Sequence, residues 1–197
     1  MILPTDDEIV ALHHKYAPSQ AVFNDVLLHS RIVANIAEWC RVNSGSQADA
    51  DLVRVGCLLH DIGVYGIVRA DGSFEHDQYI RHGVLGYEIL KAEGLDETIC
   101  RFASNHTGVG LTAKIIEERH LPLPPADYLA ETVEERLIMY ADKFHSKLPL
   151  HFDSLTACRH EIAGYGGDDL KHFEELVKEF GEPPVTELAH RYGQLLV

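Results

Sequence analysis

Nowhere in the 197-residue sequence is there a run of 18 or more apolar residues, so no segment reads as a membrane-spanning helix. A secretory leader is not expected either. Met1 to Asp7 carries acids and lacks the basic-then-apolar layout of a signal peptide, so the expected address is cytoplasmic. There is no Cys-x-x-Cys pair. Cys40, Cys57, Cys100 and Cys158 are widely scattered, which argues against a zinc ribbon or a thioredoxin-like redox motif. In a reducing compartment they read as small core residues. Basic residues are scarce, with 17 Lys and Arg against 31 Asp and Glu and a formal charge of −14. A nucleic acid is held mainly by cations on its phosphates, so binding of DNA or RNA is not expected. An acidic chain can still take a small phosphorylated substrate if bound cations reverse the local sign of charge. No internal repeat or low-complexity segment interrupts the chain.

What is present fits one folded domain over 1–197: 46% apolar and 24% charged residues, with 13 histidines. Most of the chain reads as helix. Val22, Val26, His29, Val33, Ile36 and Cys40 alternate in steps of four and three, which is one helical face. Asp51 to His60 reads as a second helix, stopped by Asp61-Ile62-Gly63. The stretch from Val64 to Arg81 is looser, with an Asp71-Gly72 turn signal; it has room for a short hairpin, though no pattern fixes one. His82 opens a helix closed by Gly94, and Asp96 to His106 forms another with Ile99, Phe102 and His106 on one stripe. Further helices are expected over Ala113 to Arg119 and over the region containing Ile138, Asp142 and His145. The second of these is announced by the capping box Thr132 to Glu135. Lys171 to Phe180 is amphipathic, and a terminal helix starts near Thr186.

Histidines sit on the apolar stripes of these helices. His29 replaces an aliphatic residue, His60 ends an apolar helix beside Asp61, His106 follows Phe102, and Asp142 follows Ile138. Singly, each is more simply a hydrogen-bonded core residue, a cap or an ion-pair partner. Jointly they are different, because buried carboxylates are costly unless paired or bound to metal. Imidazoles and carboxylates converging in one core satisfy one another best around cations.

His29, Leu59-His60-Asp61-Ile62-Gly63 and Tyr140-Ala141-Asp142 together resemble the signature of the HD-domain superfamily, a His, a contiguous His-Asp pair and a distal Asp on separate helices. The resemblance covers about residues 20 to 147, leaving 148–197 as a helical extension. Residues 105–147 are similar to those of small prokaryotic proteins with the His-Asp-Ile-Gly variant. The resemblance implies an all-α bundle in which His29, His60, Asp61 and Asp142 hold a divalent metal. His82 and His106 stand where relatives with a second metal add two histidines, with Asp61 as the bridging carboxylate. Such a set suits two ions of iron, manganese, zinc, cobalt or nickel better than magnesium. Several dinuclear branches also place a Lys shortly after the His-Asp pair, but Ile62 to Ile67 has none. Gly164-Tyr165-Gly166 lacks the proline of the Gly-Tyr-Pro sensing class, which disfavours cyclic dinucleotide hydrolysis.

The implied activity is hydrolysis of a small phosphorylated metabolite or nucleotide by metal-activated water. Asp61 is the candidate for orienting or deprotonating that water, and His145, one helical turn after Asp142, for a supporting residue or acid catalyst; His76 is weaker. Arg81, Arg101, Lys143 and Lys147 lie near the motif in sequence and are candidate phosphate donors, although each alone reads as solvated surface charge. The alternatives are a di-iron oxygenase cleaving a C–C or C–P bond with O2, and a non-catalytic ligand-binding module. The sequence is compatible with a homo-oligomer. His13, His14, His120, His151, His160, His172 and His190 follow no ligand spacing and read as surface or supporting residues. Glu134 and Glu135 read as helix caps.

Overall fold

The computed structural model describes residues 1–147 and 149–197. The chain is built from α1 (Asp6–Tyr16), α2 (Gln20–Ser44), α3 (Ala50–Leu59), a 3-10 turn (Ile62–Gly66), α4 (His76–Tyr79), α5 (His82–Ala92), α6 (Glu97–Ser104), α7 (Ala113–Glu118) and α8 (Val133–Asp142). A hairpin of β1 (His145–Lys147) and β2 (Leu150–Phe152) follows, then α9 (Leu155–Ala163), α10 (Gly167–Phe180) and α11 (Val185–Tyr192). Among the described residues, no helix is long and apolar enough to cross a membrane.

Local chemistry sets most of the boundaries. Ser19 caps α2 by accepting from Val22 N–H, and Gly45 ends it in the left-handed conformation at φ 70°. Asp49, Asp96 and Ser154 cap α3, α6 and α9 in the same way. Thr132 and Glu135 close the expected capping box at α8. Glu135 is buried and also pairs with Arg101, while Glu134 accepts from Asp49 N–H, so both acids hold helix ends.

Helix α2 is the axis. Its face of Ile32, Val33, Ile36, Ala37 and Cys40 is fully buried and packs against α3 and α8. One apolar cluster runs from Ile32 through Phe144 and Phe152 to Phe173, Phe180 and Ala189, so the C-terminal helices share a core with the motif helices. A second cluster joins α1 to Leu59, Ile62, Val64, Leu90 and Ile99. Gly56 lets α3 approach closely: a Cβ there would lie 2.4 Å from Ile138 Cδ1 and 2.7 Å from Phe102 Cδ2. All four cysteines are buried and free.

Two expectations are corrected, and the loose stretch is filled in. The stretch 64–81 holds no hairpin; it contains part of the 3-10 turn, a tight turn in which Arg69 N–H donates to Ser73 O (2.9 Å), and α4. Paired strands lie at 145–147 and 150–152 instead, because α8 stops at Asp142, so His145 is on a strand rather than one turn further along a helix. His13 is no surface residue. It is fully buried, its Nε2 2.8 Å from Leu58 O and its Nδ1 2.7 Å from Tyr65 Oη.

Candidate metal centre

Six residues from five helical segments and one turn converge. His29 comes from the middle of α2, His60 caps the end of α3, and Asp61 starts the 3-10 turn. His82 is the first residue of α5, His106 lies just past α6, and Asp142 is the last residue of α8. His29, His60 and Asp61 are wholly buried, and His82 and His106 nearly so.

The six fall into two groups that share Asp61: His29, His60, Asp61 and Asp142, and Asp61, His82 and His106. In the first, His29 Nε2 is 3.0 Å from Asp61 Oδ2, 3.1 Å from Asp142 Oδ1 and 3.3 Å from His60 Nε2. His60 Nε2 is 3.3 Å from Asp61 Oδ2 and 3.2 Å from Asp142 Oδ1. These are separations of neighbouring ligands around one cation with bonds of about 2.0–2.2 Å. In the second group His82 and His106 approach Nε2 to Nε2 at 2.9 Å, and lie 3.6 and 3.5 Å from Asp61 Oδ1.

The outer nitrogens fix the tautomers. Nδ1–H of His60 donates to Cys57 O (2.7 Å), that of His82 to Tyr79 O (2.7 Å), and that of His106 to Phe102 O (3.2 Å). A carbonyl only accepts, so the neutral ring must carry its lone pair on Nε2, the nitrogen facing the centre. Burial drives His82 down to about 3 against the opposing pull of Asp61, and burial also lowers His106. Two neutral rings therefore aim lone pairs at each other and at Asp61 Oδ1, with no proton between them. Asp61 Oδ1, which faces these two lone pairs, receives no hydrogen bond. Converging acceptors without a donor are what a cation resolves, and the donor set fits one.

The first group is partly neutralised by the chain itself. Burial disfavours a charged His60, but Asp61 and Asp142 outweigh it and raise the ring to about 9. Both carboxyls are held well below the usual range despite burial, Asp61 chiefly by Lys147 and His60, Asp142 chiefly by Lys143 and His29. Lys147 Nζ is 2.6 Å from Asp61 Oδ2, and Lys143 Nζ is 3.0 Å from Asp142 Oδ2.

A cleft of about 370 Å³ opens beside the first group, lined by Asp142, Lys143, His145 and Lys147 together with the aromatics Phe74, Tyr79 and Tyr165. Of the four expected phosphate donors, Lys143 and Lys147 face this cleft. Arg81 and Arg101 do not. Arg81 is exposed on a separate cleft with Gln78 and Glu75, and Arg101 is committed to Glu135 at 2.7 Å because α6 packs beside the start of α8. His76 lies on the cleft wall at the start of α4. His145 also borders the cleft, but both its nitrogens are engaged: Nδ1 is 2.8 Å from His29 Nδ1, and Nε2 is 2.8 Å from Gln194 Oε1. That leaves no free proton donor aimed at the cleft and makes the ring a support for His29. Sequence reasoning missed Gln194 and the cleft aromatics. Asp71-Gly72 marked a turn close to Phe74 and Tyr79, but no local pattern marked Gln194.

The HD domain family profile matches residues 26–147, and the chain belongs to that family. An uncharacterised Methanocaldococcus jannaschii protein, MJ0778, is 44% identical over 51% of this chain and 52% of its own. A tRNA (cytidine(56)-2'-O)-methyltransferase of Thermoplasma volcanium is 33% identical over 98% of this chain and 46% of its own. The chain thus spans about half the length of these curated relatives. The crystal structure of the HD domain of the Listeria monocytogenes phosphodiesterase PgpH shares the fold at 22% identity and a TM-score of 0.53, covering 93% of this chain and 98% of that one. A second structure holds the same domain in complex with cyclic-di-AMP.

Proposed function

We propose that this chain is a metal-dependent phosphohydrolase acting on a small phosphorylated metabolite or nucleotide. The carrying observation is the pair of ligand groups sharing Asp61, with His82 Nε2, His106 Nε2 and Asp61 Oδ1 converging without a donor between them. In this reading His29, His60, Asp61 and Asp142 hold one divalent transition metal, and Asp61, His82 and His106 hold a second. Bound there, such cations lower the pKa of water towards neutrality and offset phosphoryl charge. Asp61 bridges the two groups and orients water in the same place. Lys147 and Lys143 present ammonium groups to phosphate oxygens at the cleft wall, and Phe74, Tyr79 and Tyr165 offer ring faces to an organic moiety.

The test is metal content of protein purified without chelators, followed by anaerobic turnover of a panel of phosphomonoesters, phosphodiesters and nucleotides. Cyclic-di-AMP enters the panel because the Listeria domain binds it. About two equivalents of metal, with hydrolysis of a phosphoester bond in the absence of O2, is expected. Turnover that requires O2 would replace this reading with the di-iron oxygenase. A centre that takes up no divalent ion would leave a ligand-binding module.

A further inference from the structure

Gln194, the partner of His145 Nε2, lies beyond the family match, which ends at residue 147. It joins the candidate centre to the C-terminal segment by a definite route. Gly193, in the left-handed conformation at φ 63°, ends α11 and turns the chain. The residues that follow run beside β2: Phe152 N–H donates to Leu195 O, Val197 N–H to Phe152 O, and Ser154 N–H to Val197 O, each at 2.8 Å. Phe152 is the register partner of His145, and its ring stands edge-on to the imidazole at 4.7 Å. Tyr192 Oη accepts from Asn35 Nδ2 at 2.7 Å, which ties α11 to the helix that carries His29. Gln194 is thereby delivered to His145 by backbone pairing on one side and a helix contact on the other.

His29 differs from the other three histidines of the centre. Their Nδ1–H groups meet carbonyl oxygens, which fix the tautomer outright. His29 Nδ1 meets another imidazole, which can donate or accept. The ambiguity is resolved one residue further out. If Gln194 Oε1 accepts from His145 Nε2–H, then His145 Nδ1 carries a lone pair and accepts from His29 Nδ1–H. His29 Nε2 is then left as a lone pair facing Asp61 and Asp142. The reverse chain, with the amide NH2 donating to His145, would put the proton of His29 on Nε2 and close it to a cation.

We propose that Gln194 is a positioning residue of the metal centre, setting the tautomer of His29 through His145. The proposal rests on the metal-centre reading above, and its test reads cation affinity without substrate. Metal-free protein is titrated with cobalt(II), followed by its visible absorption, for wild type, Gln194→Leu and Gln194→Glu, with helicity and Tm recorded beside it. Wild type should bind, and Gln194→Leu should bind about 10-fold or more weakly, as expected for loss of an outer partner. Gln194→Glu, which can only accept, should restore affinity to near the wild-type value.

Equal affinity in wild type and Gln194→Leu would overturn the proposal and leave the centre standing. Failure of wild type to bind cobalt would instead remove the centre and this relay with it. A Gln194→Leu chain that does not fold is covered by a second measurement. Long-range 1H–15N correlation on the zinc-loaded wild type at neutral pH should show His145 protonated on Nε2 alone, and a proton on Nδ1 would overturn the assignment.

Discussion

At the scale of single residues, the centre is defined by which nitrogen holds a proton. His60, His82 and His106 each give Nδ1–H to a carbonyl one helical turn back, and for the neutral His82 and His106 that order leaves two lone pairs facing each other beside Asp61. Replacing His82 or His106 by Ala should therefore remove about half of the bound metal while far-UV helicity stays; unchanged stoichiometry would return both rings to another role. Replacing His60 or Asp61 by Ala touches the group nearest the cleft and the shared carboxylate, and should abolish both metal retention and turnover. Lys147 stands apart, a nearly buried ammonium also 5.6 Å from the Tyr79 ring centre. Lys147→Met should raise KM for a phosphoester about 10-fold or more with a smaller loss of kcat, since it removes charge from the cleft wall without removing a candidate ligand. A fall in kcat alone would contradict that role.

At the scale of elements, the motif is held together by close backbone approach. Gly63 sits where the 3-10 turn meets α5, and a Cβ on it would lie 2.0 Å from His82 O and 2.3 Å from Gly86 N. Those are backbone atoms that no rotamer change can clear. Gly63→Ala should push away the first residue of α5 and with it His82, lowering stability by about 2–3 kcal/mol and loosening the second metal together; thermal unfolding and metal analysis read the two effects. The helices of the motif were legible in the sequence because caps and apolar periodicity are local. Thr132 with Glu135, and the stripe from Val22 to Cys40, announced α8 and α2, and the inward His29 and Asp142 on them pointed to the buried cluster around Asp61. Helix α1 carried the same capping-box signal in Thr5 and Glu8 and went unread. The hairpin was not legible, since its strands are only three residues long and are joined by a bridge from Phe152 to the distant Leu196, and nothing between Asp142 and His145 marks the end of a helix. For the same reason His145 and Gln194 could not be paired beforehand, and Arg101 could not be seen to belong to Glu135.

At the scale of the whole molecule, stability carries a histidine that takes no part in the centre. His13 is buried between α1 and the end of α3, and burial holds it down to about 4, against an ordinary value of 6.5, despite the favourable contact with Leu58 O. A histidine depressed in the folded state stays neutral there while the unfolded chain takes up a proton. Its contribution is therefore complete above pH 6.5 and is lost as pH falls towards 4, by up to about 3 kcal/mol. Metal-free protein should lose stability over that interval, and His13→Gln should show a shallower slope in chemical denaturation at pH 4 to 7. Parallel slopes would mean that other groups carry the acid sensitivity. Metal acts on the same balance from the other side. A chelator should lower Tm, because a cation that binds only the folded chain stabilises it in proportion to the logarithm of its free concentration.

The two lysines of the cleft sit in a chain whose formal charge is −14, and these charges act over different distances. An anion approaching from solution meets net repulsion until it is within roughly one screening length, about 8 Å at physiological salt, of Lys143 and Lys147. Salt should then quicken capture of a small phosphoester rather than slow it, the reverse of ordinary electrostatic steering. Under the proposed function the molecule would select on size, since a long polyanion cannot bring one phosphate to the cleft without holding many others against an acidic exterior.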